Sequence, residues 1–295
     1  HPYGDYTNTD SKLDRTVMSP VPAAQPARFP KVESFSLSNG LKVFLAERHE
    51  LPLVNMIAVF NGGFSQLKAD KAGLARLTGN MLLEGTTTKS STQISDLLTN
   101  LGTSISANAA VDQSTVSLSM LKTNFEQSLT LYSDILRNPS FPQKEFDRVK
   151  KEQLLTIEQE KSAPNQVGRR LLPLFLYPEG HPYHTAFSGS GTKGTVEKLS
   201  RADAVQFHQS NFAPNNAMLV VAGDVTVAEL KSALEKALGS WKPAAAPAIS
   251  VPAVEPAKGV TVYLIDKPGA SQSYIYAAQV LPSALDPKFN TDQFG

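Results

Sequence analysis

The chain lacks cysteine altogether: none of its 295 residues carries a thiol. Disulfides and thiolate-bound metals are thereby excluded. The compartment stays open, since exported proteins often avoid unpaired thiols and cytosolic ones can simply have none. An excess of one charge sign is missing too. Lys and Arg number 28 against 27 Asp and Glu, a net charge of +1, which argues against a nucleic-acid or anionic-lipid surface. No apolar run approaches the ~20 residues needed to span a bilayer as a helix. Histidine is sparse: His1, His49, His181, His184 and His208. No H-E-x-x-H or other two-histidine helical pair occurs, and G-x-S-x-G, P-loop and dinucleotide-binding fingerprints are absent. GSGTKGT at 189–195 lacks the GK[ST] ending of a phosphate loop and reads as a flexible connection. His181 and His184 lie in the loop EGHPYHT, where packing is preferred to a surface metal site. His49 ends a strand without a nearby partner, and His208 lies on a helix.

What is present is an ordinary globular composition, 41% apolar and 19% charged, on a length of about two domains. The first residue is His1, so a processed chain or an excerpt of a longer one is expected. Residues 1–29 are polar, Pro-rich and aperiodic and read as an extended arm or linker. Residues 33–46 alternate around Asn39-Gly40, a hairpin signal. Val54 to Phe60 is a third strand, and 103–110 pairs with 114–121 as another hairpin. A helix over 70–84 is predicted, with Asp70 as N-cap and Leu74, Leu77, Met81 and Leu82 as its buried stripe. Further helices are predicted at 91–101, ended by Gly102, and at 124–137, 142–161 and 165–177. Ser200 with Asp203, and Thr226 with Glu229, mark two more helix starts. Between them 217–223 (AMLVVAG) fits a central strand. Residues 243–258 are Ala/Pro-rich and read as an interdomain linker. Beyond it, 260–266 (VTVYLID) and 273–281 (SYIYAAQVL) read as strands. The succession is α+β: an antiparallel-rich sheet with helices packed on one face.

The stretch KAGLARLTGNMLLEGT at 71–86 carries the most information. Positions 76, 79 and 80 share one helical face. Two imidazoles there could grip Zn²⁺, with a carboxylate beside them to activate a water. The residues present are Arg76, Gly79 and Asn80: a guanidinium without a free lone pair, no side chain, and a neutral amide. The frame around them, GLA before and M-L-x-E-G-T after, resembles the pitrilysin/insulinase family of zinc metallopeptidases. So do SNGLKVFLAERHELPLV, FDRVKKEQLLTIEQEKSAP at 146–164 and FAPNNAMLVVAGDV; the resemblance runs along residues 29–242. It implies that the family's inverted motif, H-x-x-E-H, falls with its histidines on Arg76 and Asn80 and its glutamate on Gly79. The third ligand, a glutamate on a later helix, falls on Thr156. All four degenerate positions imply that this chain holds no metal and no catalytic residue. Glu158, Glu160 and Lys161 read as a solvated helix surface.

Members of that family close a chamber from two related halves, one with zinc and one without. The resemblance therefore implies a non-catalytic partner half, inactive as a peptidase on its own. It would wall the substrate chamber and aid peptide binding for an active half that bears H-x-x-E-H. Zinc is expected in that active half, on the same polypeptide or on a separate subunit of a heterodimer, and no cofactor in this chain. The active half's substrate-pairing edge, N-A-x-T, corresponds to Asn108, Ala109, Ala110 and Val111. Asn108 and Ala109 are thus candidate peptide contacts, with a plain edge strand as the other reading. The implied organisation is an arm over 1–29, an inactive first α/β domain over 30–242, a linker over 243–258 and the incomplete start of a second similar domain over 259–295. One alternative is a structural scaffold subunit without any proteolytic role. Another, an enzyme with an unrecognised site, lacks a visible nucleophile and base. The Pro-rich arm and the missing thiols resemble exported bacterial relatives, so the periplasm is the expected location.

Overall fold

Alternation decides the sheet. In β3 (Leu53–Asn61), Val54, Met56, Ala58 and Phe60 are buried while Asn55 and Ile57 face outward. In β5 (Gln113–Leu121), Val116, Leu118 and Met120 turn inward in the same way. The computed structural model describes residues 30–245, 250–255 and 259–281. It joins β1 (Glu33–Ser36), β2 (Lys42–Glu47), β3, β4 (Ser104–Ala109), β5 and β6 (Ala217–Gly223) into one sheet, ordered β1-β2-β6-β3-β5-β4. Every pairing is antiparallel except β2 with β6. The Asn39-Gly40 turn joins β1 to β2, with Gly40 at φ +87°, a left-handed value that glycine adopts without strain.

Among the described residues, eight α-helices follow: α1 (Leu74–Met81), α2 (Ser91–Leu101), α3 (Phe125–Arg137), α4 (Gln143–Ser162), α5 (Pro164–Leu176), α6 (Lys193–Lys198), α7 (Arg201–Asn211) and α8 (Val227–Leu238). Capping boxes open four of them, at Ser90, Thr192, Ser200 and Thr226; each satisfies two backbone donors that the first helical turn leaves unpaired. The helices cover the inward face, α3 against β5 and α1 and α2 against β4. This is the expected one-faced α+β layering. Phe60 is central to the core, 4.7 Å from the ring of Phe212 and 6.1 Å from Trp241. Tyr132 is fully buried and donates to the Val116 carbonyl at 2.8 Å.

Four expectations need correction. α1 begins at Leu74, not near 70, and Asp70 caps nothing; it lies in a short 3₁₀ turn over Ala69–Lys71. The cause is Gly73, held at φ +100° by backbone and side chains that leave no room for a Cβ. β6 is central, as predicted, but buried on one face only: Met218 and Val220 are exposed. Residues 259–281 form no strand. Among the described residues their alternating pattern finds no ladder neighbour. They meet α5 through side chains instead, Tyr263 stacking on Phe175 at 3.9 Å and Tyr276 donating to the Asn165 carbonyl at 2.8 Å. His49 does have partners, Asp224 at 2.7 Å and Glu47 at 3.5 Å. The hydrogen bond to Asp224 raises its pKa above the ordinary histidine value.

Candidate functional site

α1 lies over the edge strand β4, and α4 packs against it from the other side. Leu77, Met81 and Leu82 are fully buried and Leu74 nearly so, which fixes the rotation of α1. That rotation sets the fate of the remaining face. Gly79 is buried against β4, where a Cβ would meet only the Ala107 methyl at 3.8 Å. Asn80 is exposed. Arg76 is not a free solvent-facing side chain: its Nη1 donates to the Ser188 carbonyl at 3.1 Å and lies 3.8 Å from Glu160. Thr156, on α4, turns its hydroxyl back to the Glu152 carbonyl at 3.1 Å, a local bond typical of helical threonine.

Glu160 is the residue the sequence reading misplaced. Its side chain is 11% exposed and it is the hub of a polar cluster. It is paired with Arg170 from α5 and accepts from the hydroxyls of Ser190 at 2.7 Å and Ser188 at 3.2 Å. Arg170 also donates to Ser190 Oγ and to the Gly191 carbonyl, each at 2.6 Å. Gln153 joins the same junction, its amide donating to the carbonyls of Gly73 and Ser190, both at 2.9 Å. The signal was present: Glu160 is four residues beyond Thr156, hence on the α4 face turned to α1. Lys161, by contrast, pairs with Glu158 at 3.1 Å on the exposed side, as the spacing predicted.

The 188–191 loop is the second surprise. Its Gly/Ser content reads as flexible, yet Gly189, Ser190 and Gly191 are buried. Gly191 has φ +78°, and a Cβ there would fall 2.4 Å from the Ala72 carbonyl oxygen. The glycines thus let the loop lie directly on the start of α1, where Thr195 Oγ1 also donates to the Ala72 carbonyl at 2.8 Å. His181 stacks on Tyr177 and lies with Nε2 3.0 Å from the Pro252 carbonyl, while His184 Nδ1 lies 2.7 Å from the Tyr177 carbonyl.

Zinc does not fit this constellation. Among the described residues no three His, Asp or Glu side chains converge as a metal-holding group. On α1 the available groups are a guanidinium and an amide, and neither matches zinc's preference for imidazole, thiolate or carboxylate. A fixed guanidinium within ~4 Å would also repel a divalent ion by roughly 8 kcal/mol at an effective dielectric of about 20. In the cluster two guanidiniums instead share one carboxylate, tying α1, α4, α5 and the 188–191 loop together. On the edge strand β4, Asn108 is exposed and Ala109 faces inward, and among the described residues β4 pairs only with β5.

Comparison with known proteins identifies the family. The sequence profile of the insulinase family (peptidase family M16) matches residues 42–179, and that of the peptidase M16 inactive domain matches 198–293. A non-peptidase homologue, YmxG of Helicobacter pylori, is 26% identical over 196 residues, 66% of this chain and 45% of that protein. A probable mitochondrial-processing peptidase β subunit of Schizosaccharomyces pombe is 24% identical over 73% of this chain and 47% of its own length. The chain thus spans about half the length of these curated relatives. A crystal structure of a peptidase M16 inactive domain from Pseudomonas fluorescens superposes with a TM-score of 0.70 at 27% identity, over 76% of this chain and 54% of that one. The periplasmic protease PqqL of Escherichia coli shares the fold at a TM-score of 0.68 and 20% identity, over 78% of this chain and 26% of its own. The two profiles together place the chain in the insulinase (M16) peptidase family.

Proposed function

We propose that this chain is the non-catalytic half of a zinc metallopeptidase. It walls a substrate chamber and aids peptide binding, while an active half bearing H-x-x-E-H supplies the zinc and the hydrolytic water. The observation that carries the reading is the α1–α4 junction. At Arg76, Gly79, Asn80 and Thr156 the donor set cannot hold a metal, and an Arg76–Glu160–Arg170 cluster stabilises the same junction without one. The active half is a separate subunit or a part of the same polypeptide. In this reading β4, at the sheet edge, would present Asn108 and Ala109 to an extended peptide in the manner of strand addition. The segment from 259 onward is read as the start of a second similar domain. The reading puts the assembly in the periplasm, where the structurally similar PqqL works.

The test is complementation. The purified chain alone should cleave no quenched-fluorescent peptide. Co-purified with the H-x-x-E-H half, it should support hydrolysis that drops at least tenfold when it is withheld. Unchanged hydrolysis by the active half without this chain rejects the proposal.

A further inference from the structure

α5 carries Val167, Leu171 and Leu174 at helical spacing, and all three are only half-buried. They form one wall of a groove of about 1010 Å³, at the upper end of the ~300–1,000 Å³ of small-molecule sites. Phe64 and Leu67, from the turn after β3, form the facing wall. The groove abuts the metal-free junction and shares Arg170 and Gly191 with it. Its imidazoles are already engaged: His181 Nε2 lies 3.0 Å from the Pro252 carbonyl and His184 Nδ1 2.7 Å from the Tyr177 carbonyl. A peptide backbone laid between the apolar walls would bury amides without partners, a cost that a methylene chain avoids.

The charge of the groove is positive. Among the described residues, Lys68, Lys161 and Arg170 border it against Glu179 as the one acidic lining residue. Lys161 is paired with Glu158, and Arg170 shares Glu160 with Arg76. With those partners counted, one positive charge is left without a counter-charge. Lys68 is exposed. Arg170 is nearly buried and spends three of its five N–H donors, on Glu160, Ser190 and Gly191. Among the described residues the other two have no acceptor. A guanidinium with donors to spare beside apolar walls suits a carboxylate, because a charge-assisted hydrogen bond gains strength where water is scarce.

We propose that the groove between α5 and the turn after β3 binds a medium-chain fatty-acid anion, its tail lying along Phe64, Leu171 and Leu174 and its carboxylate matching the surplus positive charge of Lys68, Lys161 and Arg170. One apolar tail and one negative charge answer the two features of the groove together. The inference does not rest on the partner-half reading, because the walls and the charges all belong to this chain.

The test is isothermal titration of the full chain with decanoate, octanoate, decanol and decyltrimethylammonium. Decanoate should bind saturably with one site per chain. Octanoate should bind roughly tenfold more weakly, since two methylenes fewer enter the groove. Decanol should bind at least about fivefold more weakly than decanoate, and the cationic amphiphile more weakly still. Lys68→Glu, an exposed position, should weaken decanoate about fivefold and leave decanol unchanged. Leu171→Asp, on the half-buried wall, should weaken both more than tenfold with the circular dichroism spectrum unchanged. Absence of saturable decanoate binding, equal affinity for decanoate and the cation, no gain from octanoate to decanoate, or wild-type decanoate affinity in Lys68→Glu overturns the proposal. So does a neutral Val/Ala octapeptide that saturates the chain where decanoate does not, which would give the groove to a peptide.

Discussion

Glu160→Gln isolates the cluster that occupies the α1–α4 junction. The substitution keeps size and one acceptor oxygen but removes the charge that two guanidiniums share. Arg170 is 13% exposed and loses its one carboxylate partner among the described residues; Arg76, 34% exposed, loses a more distant one at 3.8 Å. Stranding one member of a buried pair costs about 3–5 kcal/mol. The bonds Arg170 keeps to Ser190 and Gly191, and the exposure of Arg76, place the expected loss at the lower end, about 3 kcal/mol. With a urea slope of about 2–3 kcal/mol per molar, the unfolding midpoint should fall by roughly 1–1.5 M. The cluster acts as a unit, so Arg170→Met combined with Glu160→Gln should cost clearly less than the sum of the two single changes, by at least about 1 kcal/mol. A midpoint shift under about 0.3 M, less than 1 kcal/mol on the same slope, would refute the reasoning and make Glu160 the solvated surface residue its sequence neighbours suggest.

Three further outcomes follow from single positions. Gly79→Ala should stabilise by about 0.5–1 kcal/mol, because an interior helical glycine is replaced where a methyl meets only Ala107 at 3.8 Å; a thermal melt reads it as a rise of a few degrees. Gly191→Ala should destabilise by about 2–5 kcal/mol, from a left-handed backbone plus overpacking, since its Cβ would sit 2.4 Å from the Ala72 oxygen; urea titration checks this. His208 is buried, faces Phe212 at 5.1 Å and lies with Nε2 2.9 Å from the Leu136 carbonyl, and burial pushes its pKa below the ordinary value. The unfolded chain then takes up the proton first as pH falls, so this contribution is whole above about pH 6.5 and is lost progressively as pH drops through the folded value. Urea midpoints from pH 8 to 5 should decline more steeply for the native chain than for His208→Gln.

Local signals carried most of the fold. Alternation located β3 and β5, Asn39-Gly40 located the first hairpin, and Thr226 with Glu229 located α8, because each of these patterns acts within a few residues. The failures share one cause, which is distance along the chain. Asp70 looks like a cap, but the start of α1 is dictated by Gly73 wedged among Gln153, Ser190 and Val196. Glu160 has charged sequence neighbours, yet its partners arrive from 170, 188 and 190. At the α1 positions the sequence speaks only through chemistry, since a guanidinium or a glycine offers zinc no ligand whatever the fold. The cluster that stands there was not legible, because spacing along one helix cannot announce what a later loop will bring.

The strand order has a consequence for biosynthesis. β2 and β3 are separated by five residues in sequence, Arg48 through Pro52, yet they do not touch as neighbours; β6, from Ala217 onward, is inserted between them. During translation the first half of the sheet therefore waits with two unsatisfied edges until the ribosome has delivered Gly223. A gap of that length makes closure slow and leaves sticky β-edges open to other nascent chains. Chaperone dependence early in synthesis, ending abruptly once β6 emerges, is what such a topology demands.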